Sequence, residues 1–493
     1  MNAANASAAD MSAANRGAPR VIVVGGGISG LAAAYFLEKQ AQRAGMDVSI
    51  RLLESDDRLG GVIRTEHCGE YLLEAGPDSF LAMKPAAIEL CKELNLAGGL
   101  IGSNDAQRKT YVLQGGKLRG LPDGLMFVVP TRVWPVFRGD LLSLSGKMRL
   151  ALAPFIPPLE KKSSDWGVAD FIARRFGSEV LERLAEPLLA AVYGAEVDTL
   201  SARAVLPQLV AIEEKYGGLW RGMSHARAQM KSRASAARPQ PLFMTLQNGL
   251  GEMVEGLRKN LRSTEVRFGC EARAIVRDER GYRIEYKDGS QSSASEAASA
   301  VIIATPAHAA AKLLQPLDAD LASQLGGIRY HSSVIVALGY ERRTFGRELE
   351  GFGFIVPRKE AKCLTACTWV STKFPFRSPS DGVLLRCFLG GSRNPRLLER
   401  SDEQIVSDAL RELEEIMQLR ATPSFVRVYR WENRMPQYDV GHPARLESID
   451  ARLKTHPGLC LAGNGYLGIG IPDCIQSGAA AAAGVLVHLK NRN

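Results

Sequence analysis

The stretch "VIVVGGGISGLAAAYFLEKQ", Val21 to Gln40, decides the fold. An apolar run stops at a glycine cluster, and the residues beyond it recur with helical spacing, which predicts a strand, a tight turn and a helix. Gly25-x-Gly27-x-x-Gly30 supplies glycines for the tight turn, for close backbone approach to a pyrophosphate and for packing of helix on strand. The helix N-terminus behind that turn attracts the phosphates. A second apolar strand, Val48 to Leu53, ends on Glu54, an acid placed for ribose hydroxyls and unfavourable to a 2′-phosphate. The unit is βαβ, and its ligand is NAD or FAD.

Two further segments choose between them. After the Glu54-Ser55 pair, "ESDDRLGGVIRT" carries Arg58 and Gly60-Gly61, an arrangement that resembles the second fingerprint of FAD-binding oxidoreductases in the amine oxidase superfamily. Near the C-terminus, "AGNGYLGIGIPDC" feeds a glycine-rich loop into a helix predicted from about Ile471. Amides and the positive dipole end of that helix suit a flavin, which becomes anionic on reduction near N1 and O2. The cofactor is therefore read as FAD.

With 493 residues, 46% hydrophobic and 23% charged, the chain predicts several domains and no membrane-spanning run. A net charge of +9 favours an acidic partner, but the basic residues are scattered and no nucleic-acid-binding pattern occurs. The eight cysteines form no CxxC pair and no zinc spacing, so free thiols in a reducing, cytoplasmic setting are expected and no metal is assigned. "GISG" lacks the nucleophile-elbow form, "SLSGKMR" only superficially resembles a P-loop ending, and His67, His331 and His442 read as surface or satisfied core residues. No catalytic acid or base is assigned.

Nucleotide-type segments at both ends enclose strands and helices of another character. The fold class expected is α/β, with a discontinuous Rossmann-like FAD-binding domain (20–88, 242–312 and 420–493), an inserted mixed-sheet substrate domain (89–135 and 313–419) and a helical domain (136–241). Residues 1–19 read as a disordered tail, and "KSRASAARPQP" as a flexible connection. Tyr111 to Leu121 predicts a hairpin, and the region near 402 to 417 a helix.

Together, "GGGISGLAAAY", "LESDDRLGGVIRT", "LEAGPDSF", "SLSGKMR", "EPLLAAVYGAEVDTLSARA", "MPQYDVGH" and "GIGIPDCIQSG" resemble the oxygen-dependent porphyrinogen oxidases of haem biosynthesis, in family order from Val21 to Leu489. The resemblance implies a flavoenzyme that removes six electrons from a porphyrinogen in three steps, with O2 as acceptor and three H2O2 released. It implies that Gly25, Gly26, Gly27, Ile28, Ser29, Gly30, Glu54, Ser55, Arg58, Gly60, Gly61, Val62, Gly76, Pro77, Asp78 and Ser79 line FAD. The Ala272 backbone would face the adenine, and Asn464, Ile469, Gly470 and Ile471 would lie near the isoalloxazine.

Ile355 and Phe374 would then be walls of the porphyrinogen pocket. Members specific for protoporphyrinogen carry an arginine just before the aromatic of the hairpin; here Thr110 stands there, with Arg108 and Lys109 upstream as candidate propionate partners. That departure leans the reading toward coproporphyrinogen III, whose four propionates suit a basic pocket mouth. An amine oxidase or carotenoid desaturase on the same scaffold and a flavin-free carrier are the alternatives, and the family admits peripheral membrane contact and a homodimer.

Overall fold

Five parallel strands bring together segments from the two ends and the middle of the chain. Their order is Thr264–Arg267, Ser49–Leu53, Arg20–Val24, Ala300–Ile303 and Leu459–Leu461. The computed structural model describes residues 17–492 apart from 123–124, 127–128, 131–136, 138, 158–164, 195, 217, 220–240, 280 and 290–291. Most of the expected N-terminal tail and of the "KSRASAARPQP" connection lies outside the described residues. The opening strand is apolar throughout because both of its faces are covered. Val21 and Val23 pack toward the helices Ile28–Arg43 and Ile471–Arg492, whereas Ile22 and Val24 pack toward an antiparallel sheet and the helix Ala307–Leu314.

That antiparallel sheet comprises Cys270–Asp278, Gly281–Asp288 and Ser292–Ala298. The alternating region from Val266 to Tyr286 therefore serves two sheets. Its first strand joins the parallel sheet, and the chain then turns at Gly269, whose φ is +65°.

A seven-stranded sheet forms the second body. Its order is Phe425–Pro436, Tyr330–Glu341, Gly382–Gly390, Leu364–Trp369, Gly353–Ile355, Thr110–Gln114 and Lys117–Gly120. All pairings are antiparallel except Gly353–Ile355 with Thr110–Gln114. The expected hairpin turns at Gly115 and Gly116, with φ of +58° and +73°. Alternation divides the sheet's faces. Val112 and Ile355 pack against the helical region, and Leu113 and Phe354 pack against the helix Asp402–Met417. The strand Phe425–Pro436 falls in the segment assigned from sequence to the cofactor domain, but its ladder with Tyr330–Glu341 puts it in this sheet.

Between residues 137 and 219 the described chain is mostly helical, including Leu144–Ala151, Val168–Phe176, Glu186–Tyr193 and Pro207–Tyr216. A buried ion pair, Arg175 with Glu213, ties the second of these to the fourth. Among the described residues no helix is long and apolar enough to cross a membrane.

The two ends of the chain meet where the first and last helices cross. A Cβ on Gly478 would stand 2.3 Å from the Ser29 carbonyl oxygen. Gly478→Ala is expected to cost about 1–3 kcal/mol as the helices separate, read as a lowered thermal midpoint. Gly326→Ala, whose added Cβ meets nothing closer than 3.7 Å, should leave the midpoint unchanged.

Candidate active site and cofactor cradle

The glycine turn makes one end of the site. Gly25 adopts φ +102°, and a Cβ on Gly30 would lie 1.9 Å from the Gly25 carbonyl oxygen, so turn and helix close on each other. Gly27 is different: a Cβ there would meet nothing within 4 Å. Gly27 is also the helix N-cap and no side chain caps that end, so first-turn amides face open space at the positive end of the dipole. This cradle fits a pyrophosphate.

Glu54 is locked beside it. Its Oε2 accepts from the Gly26 amide at 2.6 Å, and its Oε1 accepts from the Asp56 amide at 2.9 Å and the Ser55 hydroxyl at 3.1 Å. The second glycine pair folds back on the first, with the Gly60 amide donating to the Gly26 carbonyl at 2.9 Å and Gly27 bridging Gly60. Arg58 clasps that turn through the carbonyls of Gly61 at 2.6 Å and of Leu59 and Ile63 at 3.3 Å. The Cys270 amide donates to the Glu54 carbonyl at 2.8 Å, which brings the strand bearing Ala272 to the same corner.

A cleft of about 2390 Å³ extends from this corner between the two sheets and the helical region. It exceeds the roughly 300–1,000 Å³ of an ordinary small-molecule pocket and can hold a flavin head and a macrocycle together. Ile28, Val62, Gly76, Pro77 and Ser79 line one side, and Asn464, Ile469, Gly470 and Ile471 another. Arg108 and Lys109 line the mouth, both exposed.

Ile355 and Phe374 are not among its walls. Ile355 is sealed in the core between sheet and helices. Phe374 is fully buried with the Arg377 guanidinium over its ring at 4.6 Å. Strand alternation and the tight turn at Val370–Lys373 send both side chains into packing.

Beneath the Gly76–Ser79 run lies a buried ionic cluster. Asp78 accepts from Lys373 Nζ at 3.1 and 3.0 Å, and Arg386 stands 3.4 Å away while also donating to the Gly76 carbonyl. Arg377 donates to the Asp78 carbonyl at 3.0 Å and the Thr245 hydroxyl at 2.7 Å, and pairs with Glu74 at 3.4 Å. Burial would raise the Asp78 pKa, but Lys373, Arg386 and Arg377 hold it well below the carboxylate range. For Glu74 burial wins and pushes the carboxyl up to about 7, although Arg377 and the Leu250 amide oppose it.

Sequence reasoning assigned no role to several residues that shape the cleft. Trp431 lines it and donates from Nε1 to the Ala75 carbonyl at 2.7 Å. The Tyr438 hydroxyl donates to the Asn464 carbonyl at 2.6 Å and accepts from the Gly468 amide at 2.9 Å, pinning the glycine loop. His442 stacks on Tyr438 at 4.3 Å and meets the Tyr466 carbonyl at 3.0 Å. Burial lowers its pKa, so the ring is neutral and carries its hydrogen on Nε2, the satisfied core histidine expected. The available signal was the spacing of Tyr438 and His442 inside "MPQYDVGH". Lys84 grips Asp473 at 2.7 Å through both carboxylate oxygens, a pair 389 residues apart that no local pattern reveals.

The flavin-containing amine oxidoreductase family model matches residues 28–486. The chain is 36% identical to the coproporphyrinogen III oxidase of Bacillus subtilis (strain 168), covering 96% of this chain and 99% of that protein. To the chloroplastic protoporphyrinogen oxidase 1 of Arabidopsis thaliana it is 29% identical, covering 92% and 86%. A crystal structure from Exiguobacterium sp. 255-15, provisionally named a protoporphyrinogen oxidase, superposes with a TM-score of 0.83 at 31% identity over 96% of this chain and 99% of that one. Putrescine oxidase, at 16% identity, TM-score 0.67 and coverage of 95% and 99%, shares the fold.

Glu74 gives the site a pH signature. A carboxyl whose pKa rises from 4.5 to about 7 on folding stabilises the folded state below 4.5 and loses that contribution as pH rises through about 7. The thermal midpoint of the native protein should therefore gain on that of Glu74→Gln as pH falls from 7 to 5. A gain in the opposite direction would place an ionised Glu74 in the cluster.

Proposed function

The chain belongs to the flavin-containing amine oxidoreductase family, and within it we propose that it oxidises coproporphyrinogen III to coproporphyrin III in haem biosynthesis, with dioxygen as electron acceptor. The observation that carries this reading is end-to-end similarity to coproporphyrinogen III oxidases, joined to a cleft large enough for flavin and macrocycle whose mouth carries Arg108 and Lys109. The intact glycine cradle argues against a flavin-free carrier.

The chain's own residues divide the work. Gly27 and the bare N-terminus of Ile28–Arg43 hold the pyrophosphate, and Glu54 presents its remaining lone pairs to ribose hydroxyls. The Asp78 cluster holds the Gly76–Ser79 run against the cleft, and Tyr438 holds the loop of Asn464 and Gly468. The helix from Ile471 turns its positive end toward the same space. FAD, once bound, supplies acceptance of an electron pair from a meso carbon and its return to dioxygen. Positioning and exclusion of water are the chain's main contributions.

Purified FAD-loaded enzyme should convert coproporphyrinogen III in air to a fluorescent porphyrin with release of peroxide, and prefer it to protoporphyrinogen IX. No porphyrin from either substrate would overturn the reading. Each exposed cation contributes up to about 1 kcal/mol to a carboxylate contact. Arg108→Ala with Lys109→Ala should therefore lower kcat/KM for coproporphyrinogen about three- to tenfold, mostly through KM, and change the two-propionate substrate less.

We further infer a cytoplasmic protein able to make peripheral contact with membranes. Supporting this, Leu144, Met148, Leu152 and Phe155 follow one another at helical spacing and are 74%, 57%, 56% and 81% exposed. Such a stripe suits an interfacial surface. Co-sedimentation with anionic liposomes is expected, weakened by Leu144→Ser with Phe155→Ser; no binding at low or high salt would exclude the contact.

A further inference from the structure

Removing a hydride from a meso carbon leaves a cationic macrocycle whose pyrrole N–H becomes acidic, so the reaction also needs a place for a proton. Among the described residues, the carboxylates lining the cleft are Asp105, Glu350 and Asp473, and the histidine is His442. Asp105 is spent on the local fold, accepting from the Ser103 hydroxyl at 2.5 Å and the Leu242 amide at 3.0 Å. Glu350 is exposed at the mouth beside Gly351, which packs on the Lys109 carbonyl. His442 is stacked on Tyr438 and committed to the Tyr466 carbonyl.

Asp473 differs from these. It sits in the first turn of the last helix, against the glycine loop, where a Cβ on Gly468 would come within 2.5 Å of its Cγ. Oδ2 accepts from the Gly470 amide at 3.1 Å and from Lys84 at 2.7 Å, whereas among the described residues Oδ1 accepts from Lys84 alone, at 2.7 Å. Its side chain is 14% exposed, so it is open to the cleft, and Lys84, at 43%, reaches solvent. The charged and titratable groups facing it are Lys84, Tyr193 and Cys474. Burial, with the Asp473 charge adding, pushes the Tyr193 hydroxyl up to about 12, and burial pushes the Cys474 thiol up to about 12. Neither gives up a proton near neutrality, which leaves the Asp473–Lys84 ion pair as the charged pair on this side of the cleft.

We propose that Asp473 is the proton acceptor for the pyrrole N–H, and that Lys84 pairs with it and connects it to solvent. The inference rests on the porphyrinogen reading above. In each two-electron step a meso C–H bond gives up hydride and a pyrrole N–H bond gives up a proton. Once in the sequence, one hydrogen moves from the last bridge CH2 to a pyrrole nitrogen, so that four meso C–H and two N–H bonds are lost over the three steps. FAD, once bound, would accept the C–H pair as hydride; the N–H pair stays in the macrocycle, and the proton goes to Asp473 and then past Lys84 to water. Dioxygen takes the electron pair with two protons and leaves as hydrogen peroxide, so two hydrogens pass from porphyrinogen to dioxygen. The fixed negative charge also stabilises the developing cation.

Asp473→Asn keeps the acceptor for the Gly470 amide and removes the charge and the basicity, so it separates capping from proton transfer. Anaerobic stopped-flow reduction of the holoenzyme flavin by coproporphyrinogen III should slow at least about 100-fold. FAD content should be unchanged, and the Kd for coproporphyrin III, read from its Soret band, should stay within threefold. In Lys84→Met the carboxylate loses its stabilising cation, so the acid limb of the reduction rate should move to higher pH. Reduction of the Asp473→Asn flavin within threefold of the native rate, or a porphyrin affinity that falls as much as the rate, overturns the proposal. Should Asp473→Asn lose FAD, an acid limb that does not move in Lys84→Met overturns it. Native holoenzyme that oxidises no porphyrinogen refutes the functional reading instead.

Discussion

Asp78 is a carboxylate taken out of water between the two sheets of the molecule, and its partners come from the opposite body. Lys373 and Arg386 belong to the seven-stranded sheet and its following turn, while Asp78 belongs to the run that leaves the nucleotide-binding unit. Removing one member would strand a buried charge at a cost of about 3–5 kcal/mol. The two bodies therefore have little freedom to slide, and the cleft between them keeps its width. Gly76 and Ser79 face that cleft, so the same interaction that fixes the interface fixes part of the wall.

The opening turn and its strands were legible because their causes are local. A strand covered on both faces must be apolar at every position, a helix packed on it must be glycine where the backbones touch, and Gly25 and Gly30 occupy such contacts. The second glycine pair was equally readable, although its role is to bridge back to the first turn. What could not be read depends on partners far along the chain. Lys84 meets Asp473 and Lys373 meets Asp78 across hundreds of residues, and neither pair leaves a periodic trace. Phe425–Pro436 looked like part of the terminal segment because nothing in a strand's own sequence names its neighbour. Ile355 and Phe374 failed for a related reason: an apolar residue beside a pocket and one in the core have the same composition, and side-chain direction is decided by register.

Part of the chain's basic character is spent inside the protein and at the rim of the cleft. Many arginines are committed to ion pairs, including Arg175 with Glu213 and Arg393 with Glu186 in the interior. Others, such as Arg108 and Lys109, stand at the mouth of the cleft, where a polycarboxylate would pass. The cations at the mouth therefore argue for an anionic small molecule at that place.

The cleft brings together groups of both signs. The bare helix end at Gly27, the helix entering at Ile471 and the cations under Gly76 stabilise negative charge, which is what a phosphate-bearing cofactor and its reduced ring bring. A macrocycle that surrenders a hydride develops charge of the opposite sign and needs a carboxylate, not another cation. Asp473 stands on the cleft side of the glycine loop with its own cation held at the solvent edge. A helix N-terminus already favours an anion there, so the fold can maintain an ionised acid close to an apolar substrate without burying it alone. A helix end that favours an anion and a carboxylate held at that end together let a site with no catalytic dyad serve both halves of the oxidation.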